Sequence, residues 1–336
     1  MKKIRHYNIP IFIPELACPH QCVFCNQEKI SGTDKAPKPE EISEIISTWL
    51  STIDAENSHI EVAFFGGSFT GIPINLQEEY LKQVEPFIAS NKVKGIRLST
   101  RPDYINQGIL DLLKKYDVTS IELGAQTLDK EVLKMAGRGH SVEDVEIASK
   151  LINENGFELG LQMMLGLPLD TKERSIYTAK KIIELGAKTT RIYPTLVIDG
   201  TALGKQYKEG IYEALSLNDA IDWTKDIIML FENANVTVLR TGLHPSEEFE
   251  DDKSLLAGPY HPSFKEMVMT EVWIDKLEGI ETENEHLKIF VHPSQVNFAV
   301  GYKAKNKTKL LEKYKSVKVF GDNKLDKFEF YVGDNR

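Results

Sequence analysis

Short apolar or β-branched runs alternate with amphipathic stretches along most of the chain. The runs are NIPIFIPEL (8–16), HIEVAFFGG (59–67), KGIRLSTRP (94–102), VTSIELGAQT (118–127), FELGLQMMLGLP (157–168) and TTRIYPTLVI (189–198). Helical patterns near residues 38–54, 75–90, 106–116, 141–155 and 171–186 separate them. Strand, helix and strand at this spacing predict parallel strands joined by crossover helices. Six such units predict an α/β fold, an open (β/α)6 version of the eightfold, TIM-like barrel. After residue 200 the rhythm weakens, with a helix over 216–234, a strand in VTVLRTGL and a helix from about Ser263. The strand LKIFVHPSQ, the helical stretch VNFAVGYKAKNKTKLLEKY and the strands VKVFG and KFEFYVG follow. The expected organisation is a core over 1–240, a connecting segment over 241–285 and a small α+β unit over 286–336.

The glycine-rich and polar segments come just after the strands: CPHQC, GGSFTG, STRPD, GAQT and GLPLDT. Parallel α/β architectures bind ligands at the carboxyl ends of their strands. The pattern therefore gathers the unusual residues at one mouth.

Charge and composition narrow the class. The 336 residues carry a formal net charge of −9, against a chain-wide electrostatic grip on nucleic acid. The exception is 288–318, with lysines at 288, 303, 305, 307, 309, 313, 315 and 318 and the single acid Glu312. No apolar run is long enough to span a bilayer. The opening MKKIRHYNIPIFIPEL has no small-residue cleavage site and reads as a first strand. Three cysteines cannot all pair, so a reducing, cytoplasmic setting is expected.

All three thiols, Cys18, Cys22 and Cys25, fall in ACPHQCVFCN with C-x3-C-x2-C spacing. A zinc site would need His20 as its fourth ligand, from a poor position between two cysteines. Thiolates are also the usual ligands of iron–sulfur clusters. Three thiolates on a four-iron cluster leave one iron open to a substrate or cofactor.

This spacing is the signature of the radical S-adenosylmethionine (SAM) superfamily, which the chain resembles. The resemblance implies a 4Fe-4S cluster on Cys18, Cys22 and Cys25, with SAM chelated at the open iron. It also implies reductive cleavage of SAM to a 5′-deoxyadenosyl radical that takes hydrogen from a substrate. The electron would come from a flavodoxin- or ferredoxin-type donor. Phe24 matches the aromatic residue that lies near adenine, and Gly66, Gly67 and Ser68 match the segment that meets the methionine amino group. Ser99, Thr100 and Arg101 are placed to line the site. Gln126 and Arg138 resemble the ribose and carboxylate contacts of the coproporphyrinogen-oxidase-like branch. Gly166 and Pro168 match a backbone turn against adenine. Gln162 stands where that branch often has an acidic ribose ligand, which puts that contact in doubt.

STRPD, ELGAQT, RGHSVEDV, RIYPTLVIDGTAL and LAGPYHPSFKEMV resemble the radical SAM half of the Elongator catalytic subunit, over roughly 8 to 270. That family modifies the wobble uridine of tRNA and carries a separate acetyltransferase domain. The chain ends at Arg336, which leaves no room for such a domain, so the whole Elongator reaction is not implied. Tyr193, Tyr260 and His261 are candidates to face the substrate. In the tail, GYKAKNKTKLLEKY is similar to the glycine loop and following helix of a KH module, without its second glycine. Lys303, Lys305, Lys307 and Lys309 would supply phosphate contacts; the competing reading is a solvated face of a structural unit. Three functions follow: a radical SAM enzyme acting on RNA or tRNA, one acting on a small metabolite or cofactor precursor, and a non-catalytic Fe–S RNA-binding protein. The oligomeric state is not legible.

Overall fold

A computed structural model of the chain describes residues 5–13, 22–26, 35–243 and 254–333. Strand β1 (Arg5–Ile13) pairs with β2 (Ser58–Gly66) across helix α1 (Ile42–Leu50). Helices α2 (Ile74–Lys82) and α3 (Glu85–Ala89) lead to β3 (Gly95–Thr100). The 75–90 pattern thus divides, and Pro86 opens the second piece. Helix α4 (Gln107–Lys115) precedes β4 (Val118–Gln126), and α5 (Lys130–Met135) and α6 (Val142–Glu154) precede β5 (Glu158–Leu165). Helix α7 (Lys172–Glu184) leads to β6 (Thr189–Pro194). The short β7 (Val197–Ile198), helices α8 (Ala202–Lys208) and α9 (Leu217–Asn233), and β8 (Thr237–Thr241) complete the core.

The main sheet runs β1-β2-β3-β4-β5-β6-β8, and every pair in it is parallel. It forms a half-barrel with the helices outside. The expected six strands gain a seventh, β8, from VTVLRTGL. The expected strand 189–198 instead stops at Pro194, and Val197–Ile198 pairs antiparallel with β9 (Leu255–Ala257).

Period-two alternation sets the two faces. Ile9, Ile11, Ile60, Val62, Phe64, Ile96, Leu98, Ile121, Leu123, Leu159, Leu161 and Ile192 point to the helices and are buried. The helices are specified locally: Asn106, Asp129, Ser141, Thr171, Thr201 and Ser216 each cap a helix by accepting from a backbone N–H.

Helix α10 (Phe264–Leu277) joins the half-barrel to the C-terminal unit, made of β10 (His286–Val291), α11 (Val296–Val300), α12 (Lys305–Leu311), β11 (Ser316–Gly321) and β12 (Phe330–Gly333). Its sheet order is β11-β10-β12, with β11 parallel and β12 antiparallel to β10. The two helices of the tail are separated at the expected glycine loop, by Gly301 with φ 86 and by Lys303 and Ala304 with φ 51 and 60. Ala304 thus holds the left-handed conformation that a glycine would adopt without strain. The turn is fastened to α10: Thr270 Oγ1 accepts from Tyr302 N at 2.7 Å, and Thr270 O accepts from Asn306 Nδ2 at 3.0 Å. Among the described residues no helix is long and apolar enough to cross a membrane.

Candidate functional site

The carboxyl ends of the strands carry the site. Cys22–Asn26 crosses this end of the barrel, clamped from both sides. Val23 N donates to Ala136 O at 3.1 Å, and Val23 O accepts from Leu203 N at 2.7 Å. Cys25 N donates to Cys22 O at 3.0 Å, which closes a turn between the two thiols. Phe24 is buried in an apolar cluster with Cys22, Val132, Ala136, Leu167, Leu203 and Tyr212. Cys18 and His20 lie outside the described residues.

Arg138 reaches this turn from the loop after α5. Its Nη1 donates to Cys22 Sγ at 3.3 Å and its Nη2 to Gly124 O at 2.7 Å. Arg101, expected to line the site, is buried beside Arg138 and holds its backbone. Its Nη1 donates to Arg138 O at 2.7 Å, while Nε and Nη2 hold Asp103 at 2.9 and 2.8 Å. Thr100 is likewise a brace, its hydroxyl 2.6 Å from that of Thr70 in the GGSFTG loop. That loop is anchored by Gly67 N donating to Ile13 O at 2.8 Å. Gly66 has φ 105, and a Cβ there would sit 3.0 Å from Ile13 O, so glycine is required. Ser68 is buried beside it.

Gln126 closes β4 with φ 65, an uncommon conformation for a non-glycine residue. Gly124, two residues earlier, lies under Gln126 and Arg138. A Cβ there would meet Arg138 Nη2 at 3.0 Å and Gln126 Nε2 at 3.3 Å. Opposite them, the 166–170 turn is held by Asp170, whose Oδ2 accepts from Gly166 N at 2.8 Å and from Ser175 Oγ at 2.7 Å. Gly166 O accepts from Tyr212 Oη at 2.5 Å, and Pro168 is buried in the same turn. Burial raises the Asp170 carboxyl to about 6.

The donor set fits the implied groups. Cys22 and Cys25 share one backbone turn, as two thiolates of one cluster would. Among the described residues, buried polar atoms of Arg138 and its neighbours have no hydrogen-bond partner: Arg138 Nε, Gln126 Oε1 and both ring nitrogens of His140. Such orphans are rare unless a ligand or water completes them. His140 is held neutral, its pKa lowered to about 4 by burial and by the charges of Arg138 and Arg101.

Beneath this mouth the barrel interior is charged. Arg97 binds Glu61, Glu122 and Glu158 at 3.2, 3.1 and 3.0 Å. Arg191 grips Glu122 through Nε at 2.6 Å and Nη2 at 3.1 Å, and its guanidinium lies 4.9 Å from the Phe65 ring centroid. Burial opposes ionisation of Glu122, but Arg191 and Arg97 outweigh it and lower its pKa. Gln162 Nε2 donates to Glu122 Oε2 at 3.1 Å and Ser99 Oγ at 3.2 Å, so Gln162 and Ser99 belong to this network. Tyr193 stands above Arg191 on β6, inside the barrel.

Tyr260 and His261 are elsewhere, over the ends of β6 and β8. The His261 ring meets Tyr302 of the C-terminal unit edge-on, with centroids 5.6 Å apart. Of the tail lysines, Lys305 pairs with Glu271 and Lys309 with Glu278, while Lys303 lies 5.4 Å from the Tyr302 ring centroid. No ion pair of Lys307 occurs among the described residues. Sequence reasoning did not find Gly124, His140, Asp170, Tyr212, Glu122, Arg191 or Arg240. Nothing in the RGHSVEDV and GLPLDT segments marks His140 or Asp170 as buried.

Comparison with known proteins agrees with this geometry. The family model of the radical SAM superfamily matches residues 13–182, and that of the Radical_SAM C-terminal domain matches 187–273. Elongator complex protein 3 of Saccharomyces cerevisiae is 31% identical over 191 residues, covering 51% of this chain and 34% of that protein. The tRNA uridine(34) acetyltransferase of Methanocaldococcus jannaschii is 28% identical over 193 residues, 52% of this chain and 36% of that one. The chain thus spans about a third of the length of these relatives. The uncharacterized protein MJ0486 of the same archaeon is 30% identical over 240 residues, 67% of this chain and 72% of that protein. Among solved structures, Methanocaldococcus infernus Elp3 shares the fold with a TM-score of 0.61 at 21% identity, covering 85% of this chain and 71% of that one. With the model matched over half of its length, the chain belongs to the radical SAM superfamily, a superfamily of enzymes.

Proposed function

We propose that this chain is a SAM-cleaving enzyme whose substrate is an RNA, tRNA in particular. The observation that carries the first part is Arg138 Nη1 held on Cys22 Sγ, with Arg138 Nε, Gln126 Oε1 and the His140 ring unpartnered among the described residues. Cys18, Cys22 and Cys25 would hold a 4Fe-4S cluster, and Arg138, Gln126 and the Gly66–Ser68 backbone would hold SAM. When bound, the pair supplies reductive cleavage of SAM and a radical that abstracts hydrogen. The chain's own work is to orient and to shield. Arg138 sets the thiol and the carboxylate side, Gly124 leaves room for it, and Arg101 fixes its backbone. Phe24 and the 166–168 turn close the adenine side against water. The reductant would be a flavodoxin- or ferredoxin-type protein.

The RNA part is supported by the names of the relatives and by the turn at Gly301, Lys303 and Ala304, all with positive φ, where the sequence is similar to a KH glycine loop. The second reading, a small-metabolite enzyme with a structural tail, is favoured by the ion pairs that occupy Lys305 and Lys309.

The test is anaerobic reconstitution with SAM and a strong reductant. 5′-Deoxyadenosine and methionine are expected, and their loss in Cys22→Ala. A cluster that forms without cleaving SAM would sink the enzymatic reading. Total tRNA and a small-molecule extract, added separately, decide the substrate by which one raises cleavage.

A further inference from the structure

Arg240 on β8 lies beside Arg191 on β6, their Cα positions in register and both side chains on the interior face. Two guanidinium groups side by side inside a barrel repel each other and need anions. Arg191 has one: it uses Nε and Nη2 on Glu122. Arg240 has none among the described residues. Its hydrogen bond runs from Nε to Gly242 O at 3.1 Å, on its own chain two residues away. The other interior acids, Glu61 and Glu158, are committed to Arg97. Among the described residues neither Nη group of Arg240 has a hydrogen-bond partner. Burial and the neighbouring Arg191 disfavour its charge, and Tyr193 favours it. Tyr193 itself is kept a neutral phenol by burial, hence a hydroxyl donor. A partly buried guanidinium with free donors is costly to keep unless a ligand completes it.

We propose that Arg240, with the Tyr193 hydroxyl that Arg191 holds beside it, forms an oxyanion subsite inside the half-barrel that receives a phosphate or carboxylate group of the substrate. The proposal rests on reading the barrel interior as the substrate chamber. The oxyanion is not the carboxylate of SAM. Arg240 lies three strands from β4, which carries Gly124 and Gln126, so about 14 Å of sheet separates them. Arg138 already serves the thiol side. Arginine suits an oxyanion because its planar fork offers two parallel donors. β8 is also one of the two terminal strands of the main sheet.

The probes are inorganic phosphate and acetate, titrated separately into the cluster-loaded protein against chloride at constant ionic strength. Binding is read as the rise in Tm. One anion is expected to stabilise the wild type, with an apparent Kd at least about tenfold weaker in Arg240→Gln. Phosphate alone identifies a phosphate-bearing substrate, and acetate alone a carboxylate. Lys92→Gln, an exposed change at the amino end of the sheet, should match the wild type. Arg240→Lys, which keeps the charge but not the fork, should fall between and serves if the glutamine variant fails to fold. Equal stabilisation of wild type and both Arg240 variants, or none of the wild type by either anion, overturns the proposal. No SAM or reductant is present, so this outcome is independent of the cleavage assay.

Discussion

Arg138 and Cys22 stand 116 positions apart and meet at 3.3 Å, Nη1 to Sγ. The same guanidinium is braced by Gly124 O, and its backbone carbonyl by Arg101. The arginine is thus fixed before any cofactor arrives, which lowers the ordering cost of binding.

Arg138→Lys keeps a positive charge and loses the fork that spans thiol and carbonyl. SAM affinity, measured by equilibrium dialysis of the reconstituted protein, is expected to fall roughly tenfold or more. Iron and sulfide content should stay near the wild-type level. Equal loss of iron and of SAM binding would make the arginine a structural brace only.

Glu122 is the shared anion of Arg97 and Arg191, and its side chain is 1% exposed. Glu122→Gln leaves two buried guanidinium groups short of a counter-charge. A destabilisation of about 3–5 kcal/mol is expected, read by denaturant unfolding. A loss below about 1 kcal/mol would mean that water reaches the barrel floor.

Stability should carry two opposing pH slopes. His140 titrates at about 4 in the fold against 6.5, so the folded state binds fewer protons between those values and stability rises with pH there. Asp170 titrates at about 6 against 3.8, so the folded state binds more protons and stability falls with rising pH between 3.8 and 6. In the wild type the two largely cancel. Relative to it, Tm of His140→Gln should fall as pH rises from about 4 to 6, and Tm of Asp170→Asn should rise. Profiles parallel to the wild type in both variants would show that neither group is shifted.

Lys303 is exposed and Lys307 partly so, whereas Lys305 and Lys309 are already paired with acids. If the tail docks RNA, Lys303→Gln and Lys307→Gln should each weaken tRNA binding and lower the salt slope by about 1. Lys309→Gln should do less. Unchanged binding in all three would leave the tail structural.

The sequence pattern was informative wherever one face met helices. Ile9, Val62, Leu98, Ile121 and Leu161 declared the strands, and the glycine-rich loops after them declared the mouth. The barrel floor was hidden for a physical reason. Glu61, Arg97, Glu122 and Arg191 alternate with those apolar residues, which is also how a strand with one solvated face reads. Only the curvature of the sheet turns that polar face inward, and curvature is not written in any single strand. Gly124 was hidden likewise, because its need appears only when Arg138, fourteen positions on, folds back over it. Gly301 announced the turn between the tail helices, whereas the left-handed conformations of Lys303 and Ala304 carry no sequence signal of their own.

Thr270 holds the Tyr302–Asn306 turn, and Trp273 donates to Gln295 at 3.0 Å on the same helix. The C-terminal unit is therefore bolted to α10 and not strung on a linker. If an RNA docks on that turn, the fold sets its span to the barrel mouth, and length as well as charge would decide what fits.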